Sequence, residues 1–180
     1  MPTKHLVRCY GCGYEFNLTV RAQNTFCPKC RIKLDLIDYT IDSEWGDALR
    51  TAGCIRITPT GVVKSGELLA SDVVLEGRIE GGRVEAVHRL ELRAGAVFQE
   101  KDILAQDLLV ASGVSVEFQR DFRCRDLDIR GAVSGSIRAA GRVTIHAAGL
   151  MKGRLQARQL VVEEGGGLVG DFAVRAEESA

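Results

Sequence analysis

The sequence predicts an all-β protein: a right-handed, triangular parallel β-helix of about six to seven rungs, preceded by a small four-cysteine module. Three observations predict it. Apolar residues recur every 15 to 19 residues beyond position 54, sixteen of the twenty glycines lie after position 60, and two CxxC pairs stand near the N-terminus. A repeat of this length is typical of solenoids.

Bulk composition narrows the class of protein. Charged residues make up 27% of the chain and the formal net charge is zero, so no overall field attracts nucleic acid or an anionic membrane. No apolar run approaches the roughly 18 residues that span a bilayer, and the N-terminal stretch MPTKHLVRCYGC lacks the apolar core of a secretory signal. We expect a cytoplasmic chain without a transmembrane segment, whose cysteines are metal ligands or buried thiols rather than disulfides.

The two CxxC pairs predict a metal site. Fourteen residues separate them, and four thiolates in a tetrahedron are the usual shell of structural zinc, with no open position for a substrate. A thioredoxin-like redox site needs only one CxxC, in a βαβ setting that this sequence does not offer. We therefore predict a zinc ribbon over residues 1–34 that binds one structural zinc ion per chain; His5 is the less favoured substitute ligand. The predicted ligands are Cys9, Cys12, Cys27 and Cys30.

Charge is uneven around this module. Residues 1–34 carry six basic side chains and one acidic one, whereas residues 35–47 carry five acidic side chains and no basic one. We interpret residues 35–53 as an acidic connector. The mildly basic ribbon suits either a protein partner or nucleic acid. Its aromatic residues, among them Phe26, either form its core or stack on bases.

Residues 54–174 are predicted to form the β-helix. Their apolar positions fall into three classes: pairs two residues apart, single residues, and a large residue usually followed two later by a small one. Apolar residues two apart indicate strands with one buried face. Examples of the classes are Leu127/Ile129, Val97 and Phe122/Cys124. A left-handed hexapeptide helix is built from units of six residues. The gaps between the classes here are four, five and six residues, so right-handed coiling is favoured.

The same pattern gives little sign of an enzyme. The outward positions between the paired residues do not stack acids, as acid–base chemistry on a solenoid would require. His88 and His146 are isolated in the sequence, and we expect neither to be catalytic. No phosphate-binding loop precedes a helix.

The two ends of the predicted solenoid are the parts that we expect to bind another chain. A terminal rung carries unpaired N–H and C=O groups, which invite another chain to add on. The tail RAEESA is too short and polar to cover the last rung, and residues 175–180 are predicted to be disordered. Stacking of subunits through such ends does not close and therefore gives filaments. We assign the polymer interface to Ile55 and Ile57 in the first rung and to Phe172 and Val174 in the last.

The runs VLEGRIEGG and LVVEEGGGLVGDF, with the period of about 17 residues, resemble the bactofilins, the polymer-forming bacterial cytoskeletal proteins. The resemblance covers about residues 55–174. It implies a right-handed triangular β-helix that polymerises end to end without nucleotide, head to head or head to tail. It also implies a scaffold for other proteins, often at the inner membrane, with Phe172 in the polymer contact.

The ribbon departs from that family's short N-terminal tail, so we expect membrane association only indirectly. Our first hypothesis is a non-enzymatic cytoskeletal scaffold in the cytoplasm, at the inner face of the cell membrane. Its ribbon would recruit or regulate a protein partner. The alternative is a nucleic-acid-binding regulator that binds nucleic acid through the basic ribbon and oligomerises through the β-helix.

Overall fold

The computed structural model describes residues 5–18 and 22–175. It contains eighteen strands and, between β12 and β13, one 3₁₀ turn at Glu100–Asp102. All of the predicted disordered tail except Arg175 lies outside the described residues. The strands are β1 His5–Arg8, β2 Glu15–Leu18, β3 Asn24–Phe26, β4 Lys33–Asp35, β5 Tyr39–Ile41, β6 Glu44–Trp45, β7 Leu49–Arg50, β8 Cys54–Ile57, β9 Val62–Val63, β10 Glu67–Leu75, β11 Arg78–Ile79, β12 Arg83–Leu92, β13 Ile103–Val110, β14 Ser115–Cys124, β15 Asp126–Ile129, β16 Ala132–Ile145, β17 Leu150–Val162 and β18 Gly167–Val174.

Beyond β4 the chain winds into a parallel β-solenoid of about eight coils, each contributing one segment to each of three faces. The predicted all-β solenoid is thus confirmed; right-handed coiling stays a prediction. Face A holds residues 39–41, 54–57, 72–75, 89–92, 107–110, 126–129, 142–145 and 159–162. Face B holds residues 44–45, 62–63, 78–79, 97, 115–118, 132–135, 150–153 and 167–170. Face C holds residues 49–50, 67–70, 83–86, 103–105, 122–124, 137–139, 155–157 and 172–174.

The core is a column of stacked apolar side chains. On face A, Leu90 lies over Leu108 and Leu108 over Leu127, and all three are essentially fully buried. The paired positions alternate with exposed or half-buried ones because successive strand residues point to opposite sides. Each such side chain contributes roughly 1.5–3 kcal/mol when buried, so the column is a sufficient core.

The first coil begins earlier than the sequence predicts. Tyr39–Ile41 pairs in register with residues 55–57, and Leu49–Arg50 pairs with residues 68–69. The segment interpreted as an acidic connector is therefore coil 1, whose half-buried Tyr39 and Trp45 pack on the core. Ile55 and Ile57 consequently lie in coil 2 and are fully buried. The sequence does not predict coil 1 because aromatic residues occupy inward positions in it and acidic residues dominate its composition.

The ladder is interrupted between coils 4 and 5. These coils pair on face A, but in the described part of the chain no ladder joins them on faces B and C. Val97, predicted to point inward, is 55% exposed. Ile103 follows Val97 by six positions, and the 3₁₀ turn lies within that stretch. Val97 pairs with Arg78, whose side chain is exposed, whereas its neighbour Phe98 packs against the core. On face B of coil 4, Phe98 therefore takes the inward position in place of Val97.

The N-terminal module is a pair of antiparallel hairpins, β1–β2 and β3–β4. Its own small core contains Val7, Cys9, Cys27 and Leu34, with Ala52 packed against it. Arg8 Nη1 donates a 2.6 Å hydrogen bond to Gln106 Oε1. The module thus lies along the corner between faces C and A, from coil 1 to coil 4.

Candidate metal centre and assembly surface

The structure brings the four predicted ligands together. The sulfur atoms of Cys9 and Cys30 are 3.6 Å apart, those of Cys12 and Cys27 are 3.6 Å apart, and all four lie within 4.8 Å of one another. A tetrahedron with metal–sulfur bonds of about 2.3 Å has sulfur–sulfur edges of about 3.8 Å. The four thiols therefore fit one tetrahedral metal ion.

Two similar turns position these sulfurs. In each, the N–H of the first cysteine donates to the carbonyl five residues on, and the N–H four residues on donates back to the cysteine carbonyl. The fourth residue after the cysteine has positive φ in both turns: 70° at Gly13 and 61° at Arg31. The second turn has Arg31 where the first has Gly13, so a residue with a side chain adopts the left-handed conformation there.

The thiols of the site differ in acidity. Burial raises the pKa of Cys9 to about 12. Burial also opposes ionisation of Cys27, but hydrogen bonds from the backbone N–H groups of Cys30 and Lys29 outweigh it and lower its pKa to about 6. Since a metal binds thiolates, ion binding must release the proton of Cys9.

The two remaining cysteines lie in the solenoid. Burial raises the pKa of Cys124 to about 12 and that of Cys54 to about 11. Both therefore stay protonated at neutral pH and behave as small apolar groups. This agrees with their expected structural role.

His88 and His146 have partners that the sequence did not reveal. His88 Nδ1 lies 2.9 Å from Asp72 Oδ1, and His146 Nδ1 lies 2.9 Å from Glu163 Oε1. Each pair joins neighbouring coils at positions 16 or 17 residues apart, which is one solenoid period. These contacts tie adjacent coils together on the outer surface.

The last coil exposes its inward-facing side chains. Phe172 is 61% exposed and Val174 is 52% exposed, whereas Leu155, one coil earlier at the position of Phe172, is 1% exposed. Coil 1 is better covered, because Ile41 is buried and Tyr39, Trp45 and Leu49 are half-buried. The large exposed apolar surface therefore lies at the C-terminal end of the column.

Comparison with known families identifies the C-terminal half of the solenoid. Residues 115–173, about a third of the chain, match the bactofilin family, described as polymer-forming cytoskeletal. This segment is similar to the bactofilin family. The predicted resemblance is confirmed over this segment, which runs from face B of coil 5 to face C of coil 8. No curated protein and no solved structure matches the chain.

The match to the bactofilin family, together with the β-solenoid, supports a polymer-forming cytoskeletal protein. Bactofilins are a structural family rather than an enzyme family, and their members polymerise into homopolymers. Among the described residues, no helix is both long and apolar enough to cross a membrane.

Proposed function

We propose that this protein is a non-enzymatic scaffold that assembles end to end into filaments through coil 8. The observation that carries the proposal is the exposure of Phe172 and Val174 in the last described coil, since the position of Phe172 is buried in each of coils 2 to 7. Adding a subunit there, head to head or head to tail, would bury these side chains and pair the free edge of β18.

We assign the N-terminal polymer contact to other residues than those predicted from the sequence. Ile55 and Ile57 lie beneath coil 1 and are not available to a second subunit. We assign that contact instead to the half-buried rim of coil 1, which contains Tyr39, Trp45 and Leu49. Because it offers less free apolar surface, we expect contacts through coil 8 to be the stronger ones.

Phe172→Arg tests the terminal contact. The side chain contributes little to the core, so the fold should persist, while a cation on the end surface should abolish filaments seen by negative-stain microscopy. Sedimentation velocity should show dispersal into small species. Val169→Arg is the matched control, since Val169 is 58% exposed in the same coil but lies beside Lys152 on the outer side of face B. Filaments of wild-type abundance in Phe172→Arg would refute the assignment.

The ribbon would hold one zinc ion and present a surface to a protein partner. Phe26 is 63% exposed and Ile32 also projects from the second turn, beside the cations Lys29 and Arg31. We place the scaffold in the cytoplasm at the inner face of the membrane, with attachment through such a partner. The support for this placement is the match to the bactofilin family.

A further inference from the structure

A groove lined by arginines runs along the corner between faces C and A in coils 5 to 8. Its volume is about 380 Å³. Four exposed arginines form its rim and small side chains form much of its floor. The rim residues are Arg123, Arg138, Arg158 and Arg175, and the floor includes Cys124, Ala139, Ala140, Ala157 and Ala173.

The arginines of this groove are only partly neutralised. Arg138 lies 2.9 Å from Asp121, but among the described residues no carboxylate lies within ion-pair distance of Arg123, Arg158 or Arg175. Arg123 and Arg138 occupy the same register position on adjacent coils. Neighbouring strands are about 4.8 Å apart, so two like charges are stacked with only the carboxylate of Asp121, which pairs with Arg138, to offset them. Such an arrangement is destabilising unless an anion occupies it.

The shape of the groove favours a linear chain of phosphates. From coil 5 to coil 8 it extends about 14 Å, three strand spacings, which is long enough for a short run of a phosphodiester backbone. Guanidinium groups bind phosphate oxygens in bidentate fashion. The groove holds no aromatic side chain on which free bases could stack, so it suits a backbone whose bases are turned inward.

A bilayer fits the same groove less well. Membrane-surface sites combine cations with projecting apolar side chains, whereas this groove is recessed and its floor is mostly alanine. The ribbon lies on the same corner, one coil farther toward the N-terminus, where Arg8 contacts Gln106. Its exposed cations Lys29 and Arg31 therefore add basic charge to the flank that carries the groove.

We infer that the arginine groove binds the phosphate backbone of a nucleic-acid duplex, without reading its sequence. This activity is independent of end-to-end assembly, since it uses the side of the solenoid rather than coil 8's end surface. In a filament the groove would recur on every subunit.

The test measures binding of a fluorescently labelled 20-base-pair duplex of arbitrary sequence by anisotropy. With four phosphate contacts, the affinity should fall about 100-fold between 50 and 200 mM salt. Arg123→Gln/Arg158→Gln should bind more weakly and lose only about 10-fold over the same range, because two contacts remain. The matched control is Arg56→Gln/Arg78→Gln, which removes the same charge from ion pairs with Glu76 and Glu80 in other coils and should behave like wild type.

Three outcomes would overturn the inference. The first is a wild-type protein that binds no duplex at 50 mM salt, and the second is an equal loss of affinity in the groove variant and the control. The third is a groove variant that loses binding to phosphatidylglycerol vesicles but not to the duplex, which would make a lipid surface the occupant. Sedimentation of each protein separates loss of binding from loss of assembly, so failure here leaves the scaffold proposal standing.

Discussion

Glycine forms a column of its own at the corner between faces B and C in coils 6 to 8. Gly135, Gly153 and Gly170 have φ of 122°, 117° and 126°, a region that other residues rarely adopt. A Cβ on Gly153 would lie 2.2 Å from the carbonyl oxygen of Gly135. Both the backbone conformation and the approach of the next coil therefore require glycine.

Gly153→Ala should destabilise the solenoid by about 3 kcal/mol, because strain and the clash with backbone act together. Thermal and urea unfolding measure the loss. The converse substitution is the control: Ala148 has φ of 66°, so Ala148→Gly should leave stability unchanged or raise it by up to about 1 kcal/mol. If Gly153→Ala unfolds at the same temperature and urea concentration as wild type, the backbone at this corner can shift to accept a side chain.

Glu76 follows the coil 3 strand of face A, and only 12% of its side chain is exposed. Its burial favours the neutral acid, but hydrogen bonds from Arg56 and Arg93 outweigh this and lower its pKa below the ordinary value of 4.5. A lowered folded-state pKa contributes stability above the unfolded value, and that stability is lost as the pH falls through the folded value.

Glu76→Gln should therefore lower the free energy of unfolding by about 1 kcal/mol at pH 7, and the difference from wild type should shrink below about pH 4. Urea unfolding at several pH values provides the comparison. Glu67→Gln is the control, since Glu67 makes an exposed ion pair with Arg50 and should matter little. If Glu76→Gln lowers the free energy of unfolding equally at every pH, the contribution of Glu76 comes from packing and not from its charge.

At the scale of elements, the ribbon and the solenoid have separate cores, one around Cys9 and Leu34 and the other along the coils. A structural metal supplies much of the folding free energy of so small a module. The solenoid's stability instead comes from its apolar column and needs no metal.

The protein should contain one zinc ion per chain by elemental analysis. A strong chelator, or Cys27→Ser, should unfold the ribbon while the circular dichroism of the solenoid persists. Contacts through coil 8 should survive as well, because coil 8 is remote from the ribbon. Loss of the whole β-signal on chelation would show that the ribbon is required for the solenoid to fold.

Much of this architecture could be predicted from the sequence. Pairs such as Leu127/Ile129 recur because one face of every strand is buried, and the two CxxC pairs identify the metal ligands through their spacing. Coil 1 could not be predicted in the same way, since Tyr39 and Trp45 replace the usual aliphatic residues. The flank position of the ribbon depends on tertiary contacts such as Arg8 with Gln106, which leave no periodic signal.

At the scale of the whole molecule, the two ends of the solenoid differ. Coil 1 partly covers its own interior with aromatic side chains, and the ribbon lies along the side. Coil 8 exposes its interior residues. Under the proposed end-to-end assembly, this asymmetry would make coil 8 the preferred contact and leave the flanks, including the arginine groove, accessible in the filament.

Electron cryo-microscopy of assembled wild-type protein is the most direct test of end-to-end assembly. The account predicts filaments whose subunit junctions bury Phe172 and Val174 of coil 8 and continue the strand spacing of about 4.8 Å across the junction. Monomers at high concentration, or filaments joined through the faces with coil 8 left exposed, would contradict it.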